Sequence, residues 1–281
     1  MLDLGASFVA SVARDPDALA IVDDGLRLTY AQWYRRISSL VASFDRIGLK
    51  PGDHILTVLQ NCEAAATLHW GCQLAGIVIT PINWRATNDE LDFCIENSEA
   101  CAVVYQDVSA RAVETSKRAP ALPRIYAGGG NATGALAFDH LVAEPAPDAM
   151  PRVSAEAWSI MLYTSGTTSR PKGVPRRHRA ERAAGVAHVA QNLYRRGERT
   201  LGVMPLYHTM GVRSLIAMSI VGGTFVCLPR YDTQRALALI EVERVTNLYL
   251  VPTLYHDLVH AREFASTDVS SVRKLGFAGA S

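Results

Sequence analysis

The sequence predicts an α/β fold, with doubly wound and mainly parallel sheets carried in two lobes. Three observations point there. From residue 20 onward, short apolar runs alternate with amphipathic stretches of about 10–15 residues, the strand–helix rhythm of parallel sheets. A chain of 281 residues, 49% hydrophobic and 20% charged, can bury a substantial core. Polar, glycine-bearing segments follow directly on several apolar runs, as they do at the carboxyl ends of parallel strands.

The elements follow in order. Leu4, Phe8, Val9 and Val12 recur at helical spacing with no basic segment before them, which reads as a surface helix rather than a signal peptide. "AIVDDGLRLTY" reads as a hairpin around an Asp-Gly turn. Trp33, Ile37, Leu40, Val41 and Phe44 then mark a helix that stops at Gly48. "DHILTVLQN", "IVITPIN" and "CAVVY" are strands, separated by the helices "EAAATLHWGCQLAG" and "TNDELDFCIENS". "GGGNATGA" and "EPAPDAMP" bracket a weakly patterned region, expected to be a surface connection between lobes. Beyond it, "LGVMPL", "TFVCLP", "NLYLVP" and "RKLGFAGA" are strands with helices between them. The lobes are expected at roughly residues 1–70 with 212–281, and 71–211, within a single domain spanning 1–281. No repeat interrupts this order.

Composition removes several functions. Lys plus Arg number 28 against 27 Asp plus Glu, so no strong field favours nucleic acid. Five cysteines without a C-x-x-C pair argue against a disulfide framework or a thiolate zinc site. The longest apolar region, "LIAMSIVGGTFVCLP", is too short and interrupted to span a membrane. The chain reads as cytosolic.

Residues Tyr163–Val174, "YTSGTTSRPKGV", carry the chemistry. Counted from Gly166, Lys172 falls at the lysine position of a Walker loop. Pro171 before it offers no N–H, however, and Gly173 after it offers no hydroxyl for magnesium. The stretch is still a credible phosphate cradle. Thr164, Ser165, Thr167 and Thr168 supply hydroxyls, Gly166 permits close backbone approach, and Lys172 supplies a cation. Three further polar segments ("PLYHTMG", "PTLYH" and "GAS") also follow strands, and parallel neighbours would bring all four to one crevice.

These residues resemble the adenylate-forming (AMP-binding) superfamily, which includes acyl- and aryl-CoA synthetases, luciferases and peptide-synthetase adenylation domains. "YTSGTTSRPKGV" is similar to its signature loop. "LTYAQW", "LAGIVITPIN", "PLYHTMG" and "GFAGAS" resemble further landmarks in family order, across essentially the whole chain. The resemblance implies the superfamily's N-terminal domain and a two-step ligase reaction. A carboxylate attacks ATP to give an acyl-adenylate and pyrophosphate, then a thiol, usually coenzyme A, takes the acyl group.

By the same resemblance, Thr164, Ser165, Gly166, Thr167, Thr168 and Lys172 hold the ATP phosphates. His208 and Lys172 are the catalytic candidates. His208, Thr209, Met210, Tyr249, Ala278, Gly279 and Ala280 line a mostly apolar acid pocket. Ser169 departs from the family's usual glycine; if that position is left-handed, serine costs about 1–2 kcal/mol there. No aspartate stands near His208, which weighs against amino-acid substrates. The "PLYH…FAGA" combination is most similar to benzoate- and halobenzoate-CoA ligases, implying an aryl or ring carboxylate.

Two patterns are set aside. "HDLVH" (His256, Asp257, His260) approaches a zinc-hydrolase motif, but its aspartate is short and no third ligand is evident. "GGGNATG" has the wrong spacing for a dinucleotide fingerprint. "RRHRAER" (Arg176–Arg182) reads as a solvated helix start. The resemblance also implies an incomplete site, because the family's magnesium, adenine and ribose contacts and its C-terminal domain would follow Ser281. ATP, coenzyme A and magnesium are the implied cofactors, with no metal ligand assigned in this chain. A homodimer is left open. Loading of a carrier protein, or a non-catalytic nucleotide-binding fragment, are the alternatives.

Overall fold

The computed structural model describes residues 2–164 and 170–279. In chain order its elements begin with α1 (Leu4–Arg14), β1 (Leu19–Asp23), β2 (Leu26–Thr29), α2 (Tyr30–Arg46), β3 (His54–Val58) and α3 (Glu63–Ala75). Then come β4 (Val78–Pro81), α4 (Asn88–Ser98), β5 (Ala100–Tyr105), α5 (Asp107–Glu114), β6 (Arg124–Tyr126), β7 (Leu136–Ala137) and α6 (Phe138–Ala143). The next run is β8 (Trp158–Thr164), β9 (Lys172–Arg177), α7 (His178–Gln191), β10 (Arg199–Gly202) and α8 (Thr209–Val221). The last is β11 (Thr224–Cys227), α9 (Thr233–Val242), β12 (Asn247–Leu250), α10 (Pro252–Val259) and β13 (Lys274–Phe277).

The α/β class and the element order agree with the sequence reading. Trp33, Ile37, Leu40, Val41 and Phe44 are all buried on one face of α2, and Gly48 follows with φ +84°, the left-handed turn that favours glycine. Thr87 and Glu90 form a reciprocal capping box that starts α4.

The chain folds as two compact units. One comprises Met1–Val9, Tyr34–Gln60 and Ala64–Arg182; the other comprises Ala10–Trp33, Asn61–Glu63 and Ala183–Ser281. These bounds differ from the lobes expected at 1–70 with 212–281 and 71–211. The chain changes unit within α1, α2 and α7, where a continuous helical pattern leaves no composition break.

The first unit holds a seven-stranded sheet in the order β7-β6-β5-β3-β4-β8-β9, parallel except for β9 at its edge. Leu56, Val58 and Val103 of the sheet pack with Leu91 and Ile95 of α4. Phe8 of α1 stacks on Trp70 at 4.7 Å, so α1 is anchored by a fully buried face. The segment 144–151 lies at the surface as expected, with Ala149 its one buried residue, but it belongs wholly to this unit rather than connecting two lobes. Tyr34 Oη donates to the Ala149 carbonyl at 2.7 Å, and the Ala149 N–H donates to Ser38 Oγ at 3.0 Å. The basic run at the start of α7 is only partly solvated, because His178 and Glu181 are buried and Arg176 lies 3.3 Å from Glu181.

The second unit holds a six-stranded sheet in the order β13-β12-β10-β11-β1-β2, parallel except for β2. Leu201, Val226, Leu248 and Leu250 pack against Leu237 and Ile240 of α9 and Leu258 of α10. The four polar segments therefore do not follow neighbours of one sheet, as expected from sequence. β10, β12 and β13 adjoin in this sheet, but β8 belongs to the other. All five cysteines are free thiols, and burial pushes Cys72, Cys94 and Cys227 upward. Among the described residues, no helix is long and apolar enough to cross a membrane.

Candidate functional site

The Tyr163–Val174 motif is built on a hairpin. β8 is buried from Ser159 to Leu162 and reaches the surface at Tyr163 and Thr164. β9 returns beside it antiparallel, with Thr164 opposite Lys172 and Tyr163 opposite Gly173. The Met161 side chain packs directly on Gly173, where a Cβ would sit 2.7 Å from Met161 Sδ. Tyr163 Oη donates to Asn97 Oδ1 at 2.9 Å, tying the hairpin to α4, and burial pushes its phenol upward. Arg170 lies over the Phe93 ring at 5.5 Å. Lys172 is exposed, and its ammonium pairs with no carboxylate among the described residues. Ser165, Gly166, Thr167, Thr168 and Ser169 lie outside the described residues.

In the second unit, "PLYHTMG" is held by a residue that sequence reading missed. Asn61, buried just after β3, donates from Nδ2 to the carbonyls of Gly202 and Met204, each at 2.8 Å. Its Oδ1 accepts from the Leu206 N–H at 3.0 Å. Gly211 then packs so closely that a Cβ would collide with the carbonyls of Met204 and Pro205. His208 stands at the N-cap of α8 in extended conformation, exposed, with its ring 5.4 Å from that of Tyr207. Thr209 and Met210 form the first turn of α8 and are half-buried.

A cavity of about 330 Å³ lies against β12, β13, α7 and α8. Of the seven acid-pocket residues expected from sequence, Tyr249 lines it. His208, Thr209, Met210, Ala278 and Gly279 do not, and Ala280 lies outside the described residues. The remaining wall comes from Ala184, Ala187, His188, Gln191 and Asn192 along α7 and its end, Arg213 of α8, and Gly276 and Phe277 of β13. This lining is more polar than the mostly apolar pocket that was expected.

His188 is buried between two aromatic rings, 4.5 Å from Tyr249 and 5.3 Å from Tyr194. Burial, with the Arg213 charge adding to it, pushes its imidazole down to about 4, so the ring is neutral at pH 7. Gly276 allows the wall to close, since a Cβ there would meet Asn192 Oδ1 at 2.9 Å and Tyr249 Cδ2 at 3.0 Å. Beneath Tyr194, Lys274 pairs with buried Glu198. Burial raises that carboxyl, but hydrogen bonds from Lys274 and Thr246 more than offset it and hold the group below its ordinary value.

Sequence carried two unused signals for this cavity. Arg213 is the one charged residue in the apolar helix "TMGVRSLIAMSIV". Ala184, His188, Gln191 and Asn192 recur at helical spacing along α7. By contrast, the His256 and His260 rings stack 4.1 Å apart on an exposed face of the chain. No group of three or more His, Cys, Asp or Glu among the described residues could hold a metal ion.

One α/β unit thus carries the β8–β9 hairpin with Lys172 exposed, and the other holds a cavity beside parallel strands. Residues 8–281 match the AMP-binding enzyme family, and the chain belongs to it. It is 30% identical over 278 residues to a feruloyl-CoA synthase from Amycolatopsis sp, covering 99% of this chain and 54% of that protein. It is 27% identical to the fatty acid–[acyl-carrier-protein] ligase ScoC of Streptomyces coeruleorubidus, covering 95% of this chain and 51% of that one. The chain thus spans about half the length of the relatives it matches. Its fold is that of the N-terminal domain of FACL13 from Mycobacterium tuberculosis, with TM-score 0.90 and 24% identity over 100% of this chain and 70% of that one. The relatives' names run from a feruloyl to a fatty-acyl group, so family membership leaves the acid open.

Proposed function

We propose that this chain forms the ATP- and acid-binding part of an ATP-dependent carboxylic acid–CoA ligase acting on an aryl or ring carboxylate. The observation that carries the proposal is the strand pairing that sets Tyr163 and Thr164 opposite Gly173 and Lys172, the described ends of the Tyr163–Val174 motif, with Lys172 exposed and unpaired among the described residues. In the first step a carboxylate oxygen bonds to the α-phosphorus of ATP as the bond to the β-phosphate bridging oxygen breaks. Negative charge gathers on the departing pyrophosphate. The hydroxyls of the motif and Lys172 suit that charge, because donors fixed in advance need no reorganisation as it develops. In the second step the thiol sulfur attacks the acyl carbon and AMP leaves.

In this reading His208, at the exposed start of α8, faces the acyl group, with Thr209, Met210, Ala278, Gly279 and Ala280 around it. The Tyr249 cavity receives the body of the acid. Magnesium is expected to accompany ATP. No described group fits it, so no residue here is assigned to it and no step runs through it. A carrier-protein thiol in place of coenzyme A is the second reading, favoured by the likeness to ScoC.

Carboxylate-dependent pyrophosphate release from ATP tests the proposal, measured on the 281-residue chain and on the full gene product. Benzoate, a halobenzoate, a fatty acid and an amino acid are offered in parallel. Release by the full product with a ring acid, followed by thioester formation with coenzyme A, is the expected result. Release without any coenzyme A reaction turns the choice to a carrier protein, and no release with any acid defeats the ligase reading.

A further inference from the structure

We infer that the acid taken by this site carries a second anionic group, a distal carboxylate, and that Arg213 binds it from the cavity wall. The inference rests on the ligase reading above and names its substrate class.

Arg213 lines the cavity from the midst of a helix whose neighbours Val212 and Ser214 are buried. Its Nε is buried with no hydrogen-bond partner, and no carboxylate pairs with its guanidinium among the described residues. The residue as a whole is half-buried at the cavity, so it is the Nε donor that burial deprives of water, and a buried donor is ordinarily matched by an acceptor.

His188 repeats the pattern. Asn192 Nδ2 lies 3.2 Å from its Nδ1, and an amide nitrogen only donates. Nδ1 is therefore the acceptor and the ring proton sits on Nε2. That Nε2 is buried and also has no partner.

The residues of the cavity wall thus include two buried N–H donors without an acceptor and one half-buried guanidinium that pairs with no carboxylate among the described residues. A carboxylate in the cavity supplies the partner that the Arg213 guanidinium lacks, since its two oxygens match the guanidinium fork. A volume of about 330 Å³ suits a ring or a short chain carrying that group, with Phe277 and Ala184 as apolar wall. An apolar monoacid of the same length would leave the guanidinium without a partner. Sites built to bond a polar group reject analogues that lack it.

Matched acids test this: benzoate against benzene-1,4-dicarboxylate, and hexanoate against hexanedioate. Pyrophosphate release is measured with the full gene product, and calorimetric binding with the 281-residue chain. The expected result is a kcat/KM at least about 10-fold higher for each diacid than for its monoacid. Arg213→Met should lower the diacid value about 100-fold and cut the diacid-to-monoacid ratio of kcat/KM at least about 10-fold. Arg213→Lys, which keeps the charge and loses the fork, should fall between. His188→Phe keeps the ring contacts with Tyr194 and Tyr249 and should cost the diacid about fivefold.

If Arg213→Met does not fold, judged by its thermal melt, the Lys and Phe variants carry the test. A preference for monoacids, or a diacid-to-monoacid ratio that Arg213 and His188 variants leave unchanged, overturns the inference. No release with any acid defeats the ligase reading instead, and calorimetry then decides. Diacid binding weakened at least about 10-fold by Arg213→Met sustains the inference, and absent or unaffected diacid binding overturns it.

Discussion

The β8–β9 hairpin and the Tyr249 cavity are opposite kinds of site. The hairpin presents its chemistry outward: Thr164 and Lys172 are exposed at strand ends, and the cation has no protein partner among the described residues. The cavity is built inward, from a buried histidine, a half-buried arginine and a strand tyrosine, with Gly276 admitting the close wall. A group that handles phosphate can be exposed because the ligand itself brings the countercharge. Recognition of an acid's shape needs a wall held in place by the core. Substitutions in the hairpin should therefore alter turnover and leave stability alone, whereas those in the second unit should alter both.

The sharpest break of that contrast comes from Lys172→Met. Removing one donor to developing charge costs about 10²-fold in pyrophosphate release by the full gene product. The melting temperature should stay where it is, and a large drop in it would mean that Lys172 has a structural role.

Acid pH probes both units together. Burial holds His69, in the first unit, down to about 3, with His178 adding to it, and holds His188, in the second, down to about 4. Between the ordinary histidine value near 6.5 and those values, the unfolded chain binds protons that the folded chain refuses. Stability is therefore full above about pH 6.5 and declines as pH falls toward 4, by on the order of 3 kcal/mol for His188. Urea midpoints across that range should fall with pH, and less steeply in His188→Gln.

Asn61→Ala should cost about 2 kcal/mol, because it strips three hydrogen bonds from residues 202–206, which lead into His208. Turnover should fall too, through loss of position around His208, so equal activity at reduced stability would separate Asn61 from the site. The smallest effect belongs to Ser169→Gly, which should lower the ATP KM by at most a few-fold or leave it unchanged. A clear rise would show that the serine contributes to binding.

The sequence by itself determined what local geometry controls. Apolar residues recurring along α2 and the Thr87–Glu90 box define helices from within one stretch of chain. The Tyr163–Val174 motif, proposed to hold phosphate, was legible for the same reason, since its residues are consecutive. Only tertiary structure decided which sheet each strand joins, and it separated β8 from β10, β12 and β13. It also drew 144–151 into the first unit and gathered His188, Arg213 and Tyr249 around one cavity. Those outcomes depend on pairings between segments tens of residues apart. The periodicity of a segment says which face is buried but not what is buried against it.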